Sequence, residues 1–252
     1  MQKLRTILFR FYDRVQPVVV PGLRNAQFSY RDTLDSVLNP GIRWLDLGCG
    51  RRLFPEWMPD SDQRQISMLG GVKSAFGLDP DFPSLRDNHF LRSRVQGDSN
   101  KLPFADGSFD LVTANMVVEH VADPATLLSE NHRVLAPGGF FLFHTPNFWS
   151  YATFLAWLVP AKLKVGLVRF FEGRKEQDVF PTLYRMNTAT RVKELAERHG
   201  FAIQSLRLTE SSAQTVMLGP LVIFELTWIR TLRMPFLANL RSNLIVILRK
   251  AG

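Results

Sequence analysis

From about residue 41 the chain alternates short apolar runs with amphipathic segments, the pattern of a parallel sheet whose strands are joined by crossover helices. Ile42 to Leu47 reads as a first strand, stopping at Gly48-Cys49-Gly50. Val72 to Leu78 reads as a second, ending at Asp79-Pro80, and Arg94-Val95-Gln96 as a short third, ending at Gly97-Asp98. Phe109 to Ala114 is a fourth, introduced by the turn residues Asp106-Gly107-Ser108. Phe140 to Thr145 is a fifth, set between Pro137-Gly138-Gly139 and Pro146-Asn147, and Phe201 to Leu208 with Leu244 to Leu248 form a closing pair.

Two helices are well signed. Asp123 suits an N-cap with Pro124 at the first helical position, and Leu127, Leu128, Val134 and Leu135 supply a buried stripe. Thr188 to His199 places Val192, Leu195, Ala196 and His199 on one face, with Gly200 where a C′ glycine belongs. A further helix is expected around Tyr30 to Leu38. Residues 1–40 thus read as a helical extension and 41–252 as an α/β domain, with insertions at about 148–187 and 210–242 that are rich in aromatic, aliphatic and basic residues.

Composition narrows the class. Hydrophobic residues at 46% and charged residues at 21% exclude a disordered chain, and a single cysteine excludes a disulfide framework or a cysteine-based zinc cluster. The expected compartment is therefore reducing, the cytoplasm. The net charge of +8 is uneven: residues 41–150 carry −3, the segment before them +3 and the segment after them +8. Basic flanks point to an anionic surface, although solvated arginine accounts for such a balance equally well. No uninterrupted apolar signal forms at the start, where Lys3, Arg5 and Arg10 interrupt it, and neither Phe148–Ala161 nor Val216–Ile229 reaches the roughly 20 apolar residues of a spanning helix.

The chemistry concentrates at the carboxyl ends of the strands, where open parallel sheets bind ligands. Gly48 and Gly50 let backbone approach a ligand, but the dinucleotide fingerprint would need a third glycine where Leu53 stands. Asp46 would face a pyrophosphate, which it repels; it suits a cation. S-adenosyl-L-methionine carries an ammonium and a sulfonium and no phosphate. Asp79 is placed to accept hydrogen bonds from ribose hydroxyls, and Asp98 from an adenine amino group.

The stretches Leu45-Asp46-Leu47-Gly48-Cys49-Gly50, Gly77-Leu78-Asp79, Gly97-Asp98 and Ser108-Phe109-Asp110-Leu111-Val112 resemble class I S-adenosylmethionine-dependent methyltransferases. Glu119-His120-Val121, Arg133 to Gly139 and Thr145-Pro146-Asn147 extend the resemblance toward the branch holding the ubiquinone and menaquinone enzymes and many bacterial small-molecule enzymes. The resemblance implies a Rossmann-like seven-stranded sheet, mostly parallel with an antiparallel last strand. It further implies S-adenosyl-L-methionine held by Asp46, Gly48, Cys49, Gly50, Asp79, Pro80, Asp98, Ser99 and Asn115.

Two departures stand out. The family's turn commonly continues to a further glycine, here Arg52, and 28 residues separate Gly50 from Asp79 against about 20 in the usual dinucleotide layout. Residues 51–59 are therefore expected to delay the first crossover helix and to cover part of the cofactor. Some relatives hold a divalent ion with Glu-x-x-Glu-His; here Met116 stands at the first glutamate, and a thioether is a poor ligand for a hard cation, so no metal is expected.

His120 is the candidate general base, with a structural histidine as the alternative. His144, Tyr184 and Arg185 are the candidate substrate contacts, in a region (Phe180 to Thr188) that closes over the acceptor in related enzymes. The resulting expectation is methyl transfer, to oxygen, on a small-molecule or lipid-linked acceptor. A nucleic-acid methyltransferase and a non-catalytic S-adenosylmethionine-binding protein are the competing readings; the strand-four end Asn115-Met116-Val117-Val118 lacks the Asn/Asp-Pro-Pro-aromatic signature used on flipped-out bases. Finally, residues 216–242 set apolar runs beside Arg230, Arg233 and Arg241, and residues 148–171 set Phe148, Trp149, Tyr151, Phe154 and Trp157 before Lys162, Lys164 and Arg169. Such juxtaposition suits a peripheral contact with an anionic membrane, on its inner face, or a lid or dimer surface. The oligomeric state is left open.

Overall fold

The computed structural model describes residues 2–159 and 181–251. Lys162, Lys164, Arg169 and Phe180, named above, lie outside the described residues. Seven strands form one sheet: β1 (Arg43–Leu47), β2 (Ser74–Asp79), β3 (Ser93–Gln96), β4 (Phe109–Asn115), β5 (Leu135–Pro146), β6 (Phe201–Thr209) and β7 (Asn243–Lys250). Their order is β3-β2-β1-β4-β5-β7-β6, with β7 antiparallel to both neighbours and the rest parallel. The predicted sheet and its antiparallel last strand are present.

The helices are α1 (Gln2–Val19), α2 (Ala26–Val37), α3 (Ser61–Gly70), α4 (Phe82–Asp87), α5 (Pro124–Val134), α6 (Tyr151–Leu158), α7 (Ala189–Arg198) and α8 (Val222–Thr231). Central strands are apolar on both faces because helices cover both: Trp44, Leu45 and Leu47 of β1, Leu111 and Val112 of β4 and Phe141 to Phe143 of β5 are buried. The expected caps form. Asp123 accepts from the N–H groups of Ala125 (3.1 Å) and Thr126 (3.3 Å), Thr188 accepts from Arg191 N–H (3.2 Å), and Gly200 takes a positive φ of 73°.

One boundary differs from the sequence expectation. Pro137-Gly138-Gly139 does not precede β5 but lies inside it, because the strand starts directly at the end of α5. The register passes from Phe109 opposite Leu135 to Leu111 opposite Phe140, so the extra residues bulge out, and Gly138 takes φ +76°. Two motif residues prove to be structural. Asp110 clamps Arg43 with two side-chain bonds of 2.8 and 2.9 Å, which hold its carboxyl below the usual carboxylate range. Arg133 ties α5 to the carbonyls of Leu102 (2.9 Å) and Phe104 (2.7 Å).

The described residues divide into two units, one of residues 30–145, 182–207 and 244–251, the other of residues 2–29, 146–159, 181 and 208–243. The second has its own core, in which Tyr12 and Val20 pack with Val216, Val222, Leu226 and Ile229. Glu225 is buried there and accepts hydrogen bonds from Tyr151 and from the N–H groups of Gln214 and Thr215, both at 2.7 Å. Among the described residues no helix is long and apolar enough to cross a membrane.

Close packing at β2 can be tested directly. A Cβ at Gly77 would lie 2.6 Å from Cys49 Sγ and 2.6 Å from Leu91 Cδ1. Gly77→Ala should therefore cost about 1–3 kcal/mol through overpacking, read as a lowered urea midpoint, with part of the loss recovered when Cys49→Ala is added.

Candidate functional site

The glycine turn after β1 is fixed from three sides. Gly48 N–H donates to the Leu78 carbonyl (2.7 Å), Gly50 N–H to Asp79 Oδ2 (2.8 Å), and Asn88 Nδ2 to the Gly50 carbonyl (2.9 Å). Gly48 is required twice over: its φ is +64°, and a Cβ would come within 2.4 Å of Val117 Cγ2. At Gly50, with φ +48°, an added Cβ would meet nothing within 4 Å, so open space lies against the backbone there. That is a place where a ligand can lie on the main chain.

Two carboxylates border this turn. Asp46 is 6% exposed and accepts from the Thr113 hydroxyl, which in turn accepts from Trp44 Nε1 (2.7 Å). Burial, and then the neighbouring charge of Asp79, push its pKa up to about 7 against the lowering effect of Thr113. Asp79, 8% exposed, is also raised by burial; its Oδ2 accepts from Gly50 N–H and its Oδ1 from Asp81 N–H (2.8 Å each). Each of its oxygens keeps a lone pair for a further donor. Among the described residues no side-chain cation counts among the causes that set either acid's pKa. Two desolvated carboxyls beside an open glycine turn fit a ligand with a positive charge and hydroxyl donors, which S-adenosyl-L-methionine has.

The remaining candidates fall in three groups. Asp98 is exposed at the end of β3, where Oδ1 accepts from Asn100 N–H (2.9 Å); Ser99 beside it is half-buried, and Pro80 is exposed with its carbonyl on Gln96 Nε2 (3.1 Å). Cys49 belongs to the turn only by its backbone, since its side chain packs with Leu85 and Leu91 and burial pushes its thiol pKa up. Asn115 turns its side chain toward His144 Nδ1 (2.9 Å), and the His144 ring, 2% exposed, stacks on Tyr30 with centroids 5.7 Å apart. His144 is thus an interior side chain.

His120, Tyr184 and Arg185 are brought together by a buried residue that the sequence reading left without a role of its own. Glu119, 2% exposed, accepts at its carboxylate from Thr145 (2.8 Å), whose hydroxyl also accepts from Asn187 Nδ2 (2.7 Å). The Glu119 carbonyl accepts from the N–H groups of Leu183 (2.7 Å) and Tyr184 (3.1 Å). Residues 183–187 are thereby fastened to the turn of Val118–His120. Tyr184, at φ +53°, is half-buried and Arg185 exposed, while His120 is half-buried with Nε2 4.0 Å from Glu119 Oε1.

Asn88, Gln65, Thr113 and Tyr30 were not foreseen either. Gln65, fully buried, accepts from Leu53 N–H (3.1 Å) and so holds residues 51–59, which do delay the first crossover helix to Ser61. That segment buries Leu53, Phe54 and Met58. Arg52, in place of the further glycine, pairs with Asp62 (3.0 Å). A polar residue with an interior partner has no distinguishing spacing, so no sequence signal marks these four.

Comparisons with known proteins bear on the family and the fold. A family model described as a methyltransferase domain matches residues 23–206. Over 114 residues the chain is 35% identical to a ubiquinone biosynthesis O-methyltransferase of Xanthomonas campestris pv. campestris; the match covers 43% of this chain and 44% of that protein, so the chain spans less than half of the relative's length. Among solved structures, an S-adenosylmethionine-dependent methyltransferase from Mesorhizobium loti aligns with a TM-score of 0.55 at 21% identity, covering 87% of this chain and 96% of that one. One from Methanosarcina mazei aligns at 0.56 and 17% identity, covering 87% and 97%. At such identities the two structures speak for the fold.

The raised acid makes a signed prediction. An aspartate in the unfolded chain loses its proton near pH 4, whereas Asp46 in the fold holds it to about 7. Across that window the ligand-free protein should lose stability as pH rises, because the folded state binds the extra proton. Asp46→Asn should remove the Asp46 share of this slope, leaving the contribution of Asp79, which burial also raises. Urea unfolding of both proteins across the window measures it, and a constant difference between them would refute the assignment.

Proposed function

The chain belongs to the methyltransferase-domain family, and on that premise we propose that it transfers a methyl group from S-adenosyl-L-methionine to an oxygen of a small-molecule or lipid-linked acceptor. The observation that carries the reading is the pair of buried carboxyls, Asp46 and Asp79, at the glycine turn, both raised first by burial. Asp46 attracts the ammonium end of the cofactor, Asp79 accepts from the ribose hydroxyls, and Asp98 accepts from the adenine amino group, with Pro80, Ser99 and Asn115 beside them. Gly48, Cys49 and Gly50 contribute main chain only.

When bound, the cofactor supplies a methyl group on a sulfonium, which bonds to the acceptor oxygen as sulfur becomes a neutral thioether. Since the leaving group is already good, alignment and exclusion of water supply much of the acceleration. An oxygen acceptor has a proton to lose, and His120, half-buried beside Glu119, takes it. Tyr184 and Arg185, tied to that same turn, contact the acceptor. The name of the Xanthomonas relative supports oxygen as the methylated atom. A divalent ion has no role in this reading: Met116 stands where a carboxylate would be needed, and the Glu119 carboxylate is engaged by Thr145.

Two measurements test it. Calorimetry should show binding of S-adenosyl-L-methionine or its demethylated product, weakened by about 1–3 kcal/mol in Asp79→Ala, the cost of unpaired buried hydrogen-bonding groups; unchanged affinity would take Asp79 out of the site. Transfer of labelled methyl groups to the acceptor should also survive a chelator. Loss of transfer with chelation and its restoration by magnesium would overturn the metal-free reading.

A further inference from the structure

The unit of residues 2–29, 146–159, 181 and 208–243 holds about a third of the described residues, yet 16 of the 21 exposed large apolar side chains lie in it. They are ordered along elements rather than scattered. In α1, Tyr12 is buried and Leu8, Phe11, Val15 and Val19 are half-buried toward the unit's interior, while Leu4 and Ile7 near the start of the helix and Val18 near its end are exposed along the adjoining edge. On a helical projection Lys3, Arg10 and Arg14, all exposed, run beside that edge. In α8 and the turn before it, Val222, Leu226 and Ile229 are buried, and Leu221, Phe224 and Trp228 share the opposite, exposed face. Three of the protein's five tryptophans, Trp149, Trp157 and Trp228, are 54%, 51% and 38% exposed in this unit, the first two joined through Phe148 at ring distances of 5.2 and 5.7 Å.

Charge identifies the occupant. The unit's described residues include eight Lys or Arg against three Asp or Glu, and two of those acids are engaged internally: Glu225 as above and Glu210 by Arg241 at 3.3 Å. The arginines favoured by the sequence reading are not the ones available. Arg230 and Arg233 donate to the Val19 and Pro21 carbonyls, and Arg241 to the Leu232 and Arg233 carbonyls, so their guanidinium groups fasten this unit together. The basic edge is instead Lys3, Arg10 and Arg14 of α1.

We propose that this unit docks on an anionic lipid surface, with Leu4, Ile7 and Val18 of α1 and the Phe224 face of α8 entering the headgroup layer and Lys3, Arg10 and Arg14 engaging lipid phosphates. Exposed apolar residues beside a basic edge, with tryptophans at the boundary, are what an interfacial helix requires. Docking deepens the proposed function by favouring the lipid-linked class of acceptor, but its test needs neither cofactor nor acceptor.

The test is flotation of the full chain with phosphatidylglycerol-containing and with pure phosphatidylcholine vesicles, at low and high salt. The wild type should float with anionic vesicles at low salt and less at high salt. The Lys3/Arg10/Arg14→Gln variant should lose on the order of a hundredfold in partitioning to anionic vesicles, and Ile7→Ser/Phe224→Ser should bind more weakly with or without salt. Circular dichroism and urea unfolding confirm that both variants are folded, and Asp79→Ala should float like the wild type, which separates this proposal from the methyl-transfer reading. Failure of the wild type to float, unchanged flotation of either surface variant, or sedimentation as a dimer that the Ile7/Phe224 variant dissociates would overturn it.

Discussion

The edge of the sheet at the glycine turn is governed by one constraint: Asp46 and Asp79 sit out of water at the ends of neighbouring strands. Removing a carboxylate from water costs several kcal/mol even after relaxation. The protein offsets part of this with fixed donors, the Thr113 hydroxyl for Asp46 and the Gly50 and Asp81 N–H groups for Asp79. Among the described residues no side-chain cation supplies the rest. The turn belongs to the same arrangement, since Gly50 donates to Asp79 with its main chain in the left-handed conformation. In the proposed reading, a cationic ligand completes what the fold leaves incomplete.

Much of this was legible in the chain, and for a physical reason. Parallel strands buried on both faces must be continuous apolar runs, and polar residues stand out at their ends, so Asp46, Asp79 and Asn115 mark their own positions. Asp123 and Thr188 were equally readable, because a cap is a local event. What stayed hidden was long-range and interior. Nothing near Asn88 announces that it braces Gly50 from 38 residues away, and nothing about Gln65 shows that it holds Leu53. His144 looked like a strand-end ligand contact and is a buried ring on Tyr30, a difference set by a helix that the sheet pattern does not encode.

The second unit shows the same limit from the other direction. Its apolar and basic residues were recognisable as a composition, but composition does not say which arginine is free. Arg230, Arg233 and Arg241 cap carbonyls and Glu225 gathers donors from α6 and the turn before α8, so charge there is used to hold irregular segments together. The amphipathic pattern of α1 emerges only once its inner face is known.

The protein's sole thiol lies beneath this edge. Cys49 is sealed between Leu85 and Leu91, with Gly77 leaving just enough room for its sulfur. Only a thiolate attacks alkylating or oxidising agents, and burial disfavours that form here. Chemical silence of Cys49 is therefore a signature of a closed glycine turn, and the rate at which it becomes modified is a built-in clock for the opening of that turn in the otherwise intact protein.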